Sequence, residues 1–331
     1  MPIDVLLYIA MAAAIAALSL GLRHKAPHQT VVRSKSMIPV RTPQRRLLRD
    51  LPTALRNGDI FLVYQPKLHL RSGEVSGVEA LVRWNHHTLG AISRKSLIPL
   101  AEERGQIREL TTWVLRRALL DQARLAESGH IISIYINVSA ILLADADFVR
   151  DICTLVGPGT GEIGLEITET ALIETSPTAL TNLDRIIKLG IPISIDDYGS
   201  GLSSLAYLKQ LPAKELKIDK MFISGMTLSH RDPLIVRSTI DLAHALGLSV
   251  VAEGVESLAA LALLKVMGCD YAQGFLISPA LPIAELESYL EIGSFSSLLS
   301  DATASVHRPL EFWTRVRREE ETPSDPVAAI G

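Results

Sequence analysis

The sequence predicts an α/β fold, a (β/α)8 TIM-like barrel. Three observations carry this. Eight short runs rich in β-branched residues recur over about 250 residues, amphipathic stretches separate most of them, and a charged or amide residue stands at the end of nearly every run. The runs fall at 60–65, 75–84, 131–138, 163–167, 191–196, 215–218, 249–252 and 271–277. The stretches between them include 111–127, 178–189, 233–246 and 258–267, with helical spacing of apolar residues. A doubly wound sheet is the alternative arrangement of the same elements.

The segments outside the barrel differ in composition. Residues 5–22 form an apolar run with Ser19 and Gly21 as its weak interruptions. As a helix it would be about 27 Å long, close to a bilayer core. Asp4 is the only charged side chain before it, whereas Arg23, Lys25, Arg33, Lys35, Arg41, Arg45, Arg46 and Arg49 follow. Residues 1–22 are therefore expected to be a single transmembrane anchor with the bulk of the chain in the cytoplasm. With only residues 1–4 ahead of the run, no folded sensor is expected on its far side. Residues 23–44, with Pro27, Pro39 and Pro43 among basic and polar residues, read as a linker suited to anionic lipid. The catalytic domain is expected over 45–291. A mostly disordered tail is expected over 292–331, with one short helix near 309–318.

Composition excludes some functions. The net charge of −3 argues against a DNA or RNA polymer as partner. Cys153 and Cys269 have no CxxC or Cys/His companions, so neither a zinc finger nor a disulfide framework is expected, and a reducing compartment fits. Gly157 to Gly161 lacks the Gly-Lys-Ser/Thr of a phosphate loop. His86-His87 reads as part of a polar loop, and Trp84 and Phe275 as packing residues.

The ends of the strands carry the chemistry. Glu79 lies on the second run and Asn137 near the end of the third. Glu166 and Glu169 accompany the fourth, Asp196-Asp197 the fifth, Lys217 and Asp219 the sixth, Glu253 and Glu256 the seventh, and Gln273 the eighth. In a barrel these ends converge on one mouth. So many acids there would repel one another unless cations bind. The donors are all oxygen, which favours Mg²⁺ or Mn²⁺ over Zn²⁺. Adjacent strand residues normally face opposite ways. For Asp196 and Asp197 to share a site, the strand must end in a turn, which Gly199 and Gly201 supply. Such a pair can bridge two cations, an arrangement suited to in-line attack of water on a phosphodiester.

Over about 245 residues the chain resembles the EAL-domain cyclic di-GMP phosphodiesterases. The signature is Glu79-Ala80-Leu81-Val82-Arg83-Trp84. It is joined by Tyr64-Gln65-Pro66, Ile136-Asn137-Val138-Ser139, Glu166-Ile167-Thr168-Glu169 and Asp196-Asp197-Tyr198-Gly199-Ser200-Gly201. Leu216-Lys217-Ile218-Asp219, Ala252-Glu253-Gly254-Val255-Glu256 and Gln273-Gly274-Phe275 complete it. The resemblance implies a barrel with one strand reversed and hydrolysis of cyclic di-GMP to the linear dinucleotide pGpG. It implies two divalent cations, Mg²⁺ or Mn²⁺. Glu79, Asn137, Glu166 and Asp196 would hold the first, and Asp196 would share the second with Asp197 and Glu253. By the same resemblance Lys217 stands near the attacking water, as base or as electrostatic support, and Gln273 orients that water or the metal shell. Glu169 holds the loop that presents Asp197, and Glu256 is a further supporting acid. Gln65, Arg83 and Leu81 face the substrate.

With the apolar run of residues 5–22, the bacterial inner membrane is the expected location, and the resemblance also implies a homodimer through the region of the fifth and sixth strands. The chain departs from the family pattern at Tyr198, Ser200 and Leu202, and at His87 and Arg94, which replace frequent prolines. No expected metal ligand is lost. This favours an enzyme over the alternatives, a silent cyclic di-GMP receptor or a membrane scaffold that binds a protein partner.

Overall fold

The computed structural model describes residues 42–157, 163–173, 176–199, 208, 213–227, 229 and 231–305. The anchor and most of the linker (1–41) lie outside the described residues, as does 309–318. Among the described residues no helix is long and apolar enough to cross a membrane.

Helix α1 (Thr42–Asn57) leads into the antiparallel pair β1 (Ile60–His69) and β2 (Val75–His86). A short β3 (Gly90–Ile92) folds back on β2, followed by α2 (Arg94–Glu103) and α3 (Ile107–Glu127). Strand β4 (Ser133–Asn137) precedes α4 (Ala140–Leu143) and α5 (Ala146–Val156). Strand β5 (Ile163–Thr168) precedes α6 (Glu169–Ile173) and α7 (Pro177–Lys188). Then come β6 (Ile193–Tyr198), β7 (Glu215–Ile218), α8 (Lys220–Gly225), α9 (Asp232–Ala245), β8 (Ser249–Ala252), α10 (Leu258–Val266) and β9 (Tyr271–Ala272). Helices α11 (Ile283–Leu290) and α12 (Ser296–Ser305) finish the described chain.

The strand order β1-β9-β8-β7-β6-β5-β4-β2-β3, with β1 also paired to β2, closes eight strands into a barrel and leaves β3 as a flap. The reversed strand is β1, antiparallel to both β2 and β9, while the other barrel pairs are parallel. The parallel barrel is observed and the doubly wound alternative is not.

Local chemistry sets the helix starts. Ser93, Asp145, Ser176, Asp219 and Ser257 each accept a backbone N–H from the first turn that follows. Leu110, Leu115, Ala118 and Leu125 of α3 are buried along one stripe against the barrel. Burying each leucine contributes about 1.5–3 kcal/mol. The space between two glycines admits the Tyr135 ring: a Cβ at Gly164 would lie 2.5 Å from that ring, and one at Gly77 would meet Ser133 O at 3.1 Å.

Several boundaries differ from expectation. Strand β1 runs through Pro66 to His69, pairing Pro66 with Val78. The last run shortens to Tyr271–Ala272 because Gly274 presses against the Val255 backbone, where no side chain fits. Helix α1 starts inside the segment read as linker. The segment read as tail begins with α12, which buries Leu299 and Ala302 and packs against α10.

Candidate active site at the mouth of the barrel

Period-two alternation turns Glu79, Leu81 and Arg83 of β2 to one face, with Gln65 paired opposite Glu79. Parallel register then sets Asn137 beside Glu166 and Thr168 beside Asp196. These residues gather around Lys217, whose side chain is 1% exposed. Its Nζ lies 2.6 Å from Glu253 Oε1, 2.8 Å from Glu166 Oε2, 2.9 Å from Asp196 Oδ1 and 3.4 Å from Glu79 Oε2.

Glu79 is held from several sides. Its Oε1 accepts from Asn137 Nδ2 at 2.8 Å and from Arg94 at 3.1 Å, and its Oε2 accepts from Gln273 Nε2 at 2.8 Å. Gln273 Nε2 also donates to Gln65 Oε1 at 3.1 Å, and Gln65 Nε2 donates to Ser278 O at 3.3 Å. Arg83 is half-buried and donates to Val82 O at 3.0 Å, and Leu81 is half-buried beside it.

Asp196 and Asp197 meet the site by a different device from the one expected. Strand β6 continues to Tyr198, and its pairing with β7 slips between Ile195 and Tyr198. The pair forms a bulge, and Asp197 takes φ 55°, the only positive value among the described non-glycine residues. That conformation costs on the order of 1–3 kcal/mol and persists where surroundings enforce it. Glu169 enforces it here by accepting the Gly199 N–H at 3.0 Å. Replacing Glu169 with alanine is expected to lower turnover about 10–100-fold with little change in thermal stability. Glutamine, which keeps an acceptor, recovers most of the loss. Steady-state rates and melting curves of the two variants check this.

The electrostatics follow from crowding. Burial would raise the Glu79 carboxyl, but Lys217, Arg94, Asn137 and Gln273 together outweigh it and hold it well below the usual range. Burial, with Glu79 nearby, pushes Glu166 up to about 7 against the pull of Lys217 and Lys67. Burial, with Asp196 and Glu79, pushes Glu253 up to about 8 although Lys217 opposes it. Asp197 is raised by burial and by Asp196 and Asp219. Burial would lower Lys217, but its surrounding carboxylates raise it well above the ordinary lysine value.

Sequence reasoning missed the layer beneath. Buried Lys67 pairs with Glu215 Oε1 at 2.7 Å and Glu166 Oε1 at 2.9 Å, over the Tyr135 ring at 3.6 Å. Ser194 also donates to Glu215, at 2.7 Å. The signal was a lysine inside an apolar strand, hidden because Pro66 reads as a strand end. Asp219 caps α8, and Glu256 is exposed. Trp84 is buried, whereas Phe275 is 67% exposed and does not pack.

His86 is no loop residue. It ends β2, buried, with its ring stacked on His87 at 4.5 Å. Asp50 lies beside both, but Arg49 already binds it at 2.8 Å.

The mouth itself fits divalent cations. An oxygen from each of Asp196, Asp197 and Glu253 lies within 4.8 Å of the others. Gln273 Oε1 is buried and accepts no hydrogen bond, and buried Asp196 Oδ1 meets the Lys217 ammonium at 2.9 Å. Beside the carboxylates opens a cavity of about 790 Å³, whose lining includes Arg94, Asn137 and Glu166 together with Val82, Ile98 and Leu110.

Fold and site together define a class: an α/β barrel with one reversed strand and a mouth of carboxylates and amides. Residues 48–280 match the EAL domain family, and the chain belongs to that family. Cyclic di-GMP phosphodiesterase NbdA of Pseudomonas aeruginosa is 40% identical over 268 residues, 80% of this chain and 34% of that protein. Bifunctional diguanylate cyclase/cyclic di-GMP phosphodiesterase MucR of the same organism is 39% identical over 247 residues, 73% of this chain and 36% of that protein. The chain thus spans about a third of the length of these curated relatives. Among solved structures, the c-di-GMP complex of the PaMucR phosphodiesterase has a TM-score of 0.68 and 38% identity, covering 73% of this chain and 99% of that one. The EAL enzyme Bd1971, bound to cAMP and cyclic-di-GMP, has a TM-score of 0.70 and 30% identity, covering 75% and 69%.

Proposed function

We propose that the chain hydrolyses cyclic di-GMP to pGpG with two divalent cations, Mg²⁺ or Mn²⁺. The observation that carries the reading is the convergence of Glu79, Asn137, Glu166, Asp196, Asp197 and Glu253 on one mouth. The phosphodiesterase relatives support the choice of substrate.

Glu79, Asn137, Glu166 and Asp196 would hold one cation, and Asp196, Asp197 and Glu253 the other. Bound there, the cations supply charge that acidifies water and offsets charge growing on the phosphate. Lys217 stays protonated among its carboxylates, which favours electrostatic support of the phosphate over the role of base. Gln273 and Gln65 present amides to the diester, and the neighbouring apolar wall suits a base. Water adds to phosphorus, the P–O3′ bond breaks, and the product keeps a 5′-phosphate.

The raised carboxyls give a pH prediction. Near neutrality Glu166 and Glu253 retain protons that cations must displace, so Mn²⁺ affinity rises with pH through about 7 to 8. Calorimetry in buffers of different ionisation enthalpy is expected to detect proton release on binding. The sign for metal-free stability is opposite. The folded state holds these protons more tightly than the unfolded chain, so stability is lost as pH rises from the ordinary 4.5 through about 8.

The same proposal, resting on sequence alone, takes residues 1–22 as a single-pass inner-membrane anchor with a cytoplasmic barrel. It takes the β6–β7 region, the fifth and sixth runs of the sequence, as a homodimer contact. The reaction is tested by incubating the chain with cyclic di-GMP, with Mn²⁺ or with EDTA, and separating products by ion exchange. Metal-dependent pGpG is expected. Tight binding of intact dinucleotide without turnover would instead make the chain a receptor.

A further inference from the structure

Arg94 opens α2, a position where the helix dipole disfavours a cation. Its guanidinium turns away from the helix and reaches Glu79 Oε1 at 3.1 Å, the oxygen that Asn137 also contacts. Arg83 stands close enough for the two guanidinium charges to repel, and Arg94 lines the cavity beside the carboxylates. The side chain is 40% exposed, against 1% for Lys217. Of the two cations on Glu79, Arg94 is therefore the one free to move.

A divalent cation at Glu79 Oε1 would stand against that guanidinium, and like charges at such distance repel strongly in a half-buried site. Displaced from Glu79, Arg94 has its fork of donors at the edge of the cavity. The anion that the proposed reaction brings there is a phosphodiester, whose paired oxygens match a guanidinium.

We infer that Arg94 is a substrate-phosphate residue that rests on Glu79 until a cation takes that oxygen. The inference rests on the phosphodiesterase reading. It assigns a role to a residue at which the sequence departs from the family pattern it resembles.

The test uses the 331-residue chain and the variants Arg94→Ala and Arg94→Lys. Calorimetry reads Mn²⁺ binding without substrate, and kinetics read KM and kcat for cyclic di-GMP at saturating Mn²⁺. Arg94→Ala is expected to bind Mn²⁺ about threefold more tightly, because a competitor is gone. It is expected to raise KM about tenfold or more with a smaller effect on kcat. Arg94→Lys, a cation without the fork, falls between on KM. An unchanged KM in Arg94→Ala, or Mn²⁺ binding that is unchanged or weaker, overturns the inference. Absence of turnover in the unsubstituted chain would instead fail the phosphodiesterase reading. The calorimetric arm, extended to dinucleotide affinity, would then still decide the role of Arg94.

Discussion

Replacing Glu79 with alanine is expected to lower kcat by about a thousandfold or more while the barrel stays folded. Glu79 links three parts of the mouth: Asn137 on β4, Gln273 after β9 and the Lys217 cation on β7. Its loss removes a proposed metal ligand and frees both amides. A cation contributes several kcal/mol of transition-state stabilisation, and each 1.36 kcal/mol is about tenfold in rate. The fold survives because Lys217 keeps Glu166, Asp196 and Glu253 within 2.9 Å. Steady-state kinetics and thermal melts, each at saturating Mn²⁺, check both halves. Near-normal turnover in a metal-replete Glu79→Ala protein would contradict the site assignment.

Lys217→Met has a different signature. It takes the shared ammonium from Glu79, Glu166, Asp196 and Glu253, leaving Arg94 on Glu79 and Lys67 on Glu166 as the remaining cations. Breaking a buried ion pair by removing one partner costs about 3–5 kcal/mol. For a domain of this size that is a fall in melting temperature of about 10 °C in EDTA. Added Mn²⁺ is expected to raise the melting temperature of Lys217→Met more than that of the unsubstituted chain, because the ion then replaces the charge that Lys217 supplied. Turnover is expected to fall about 100–1,000-fold even with Mn²⁺, as for loss of one charge-stabilising donor. An unchanged melting temperature in EDTA would mean that the carboxylates are neutral without Lys217.

Much of this arrangement was legible in the sequence for a physical reason. In a parallel barrel the C-terminal ends of the strands meet, so acids closing successive runs must be neighbours in space. Asn137, Glu166, Asp196, Lys217 and Glu253 follow from that rule, whereas Glu79 lies within β2 and was legible from its sequence motif. The rule is silent where conformation departs from regular strand. The Asp196-Asp197 bulge needs a positive φ that no periodicity announces, and what holds it is a Glu169 bond to a backbone N–H. Lys67 and Glu215 sit below the mouth, and neither stands at a C-terminal strand end. Arg94 follows β3, a flap too short to register as a strand, so the sequence showed a missing proline and not its contact with Glu79.

The central claim is that metal and carboxylates deliver water to a phosphorus of cyclic di-GMP. The most direct measurement is turnover of the dinucleotide by the 331-residue chain in water labelled with heavy oxygen, with Mn²⁺ or with EDTA. The account predicts pGpG in the Mn²⁺ reaction alone, with one label in its 5′-phosphate. Product without the label, or equal product in EDTA, would contradict it.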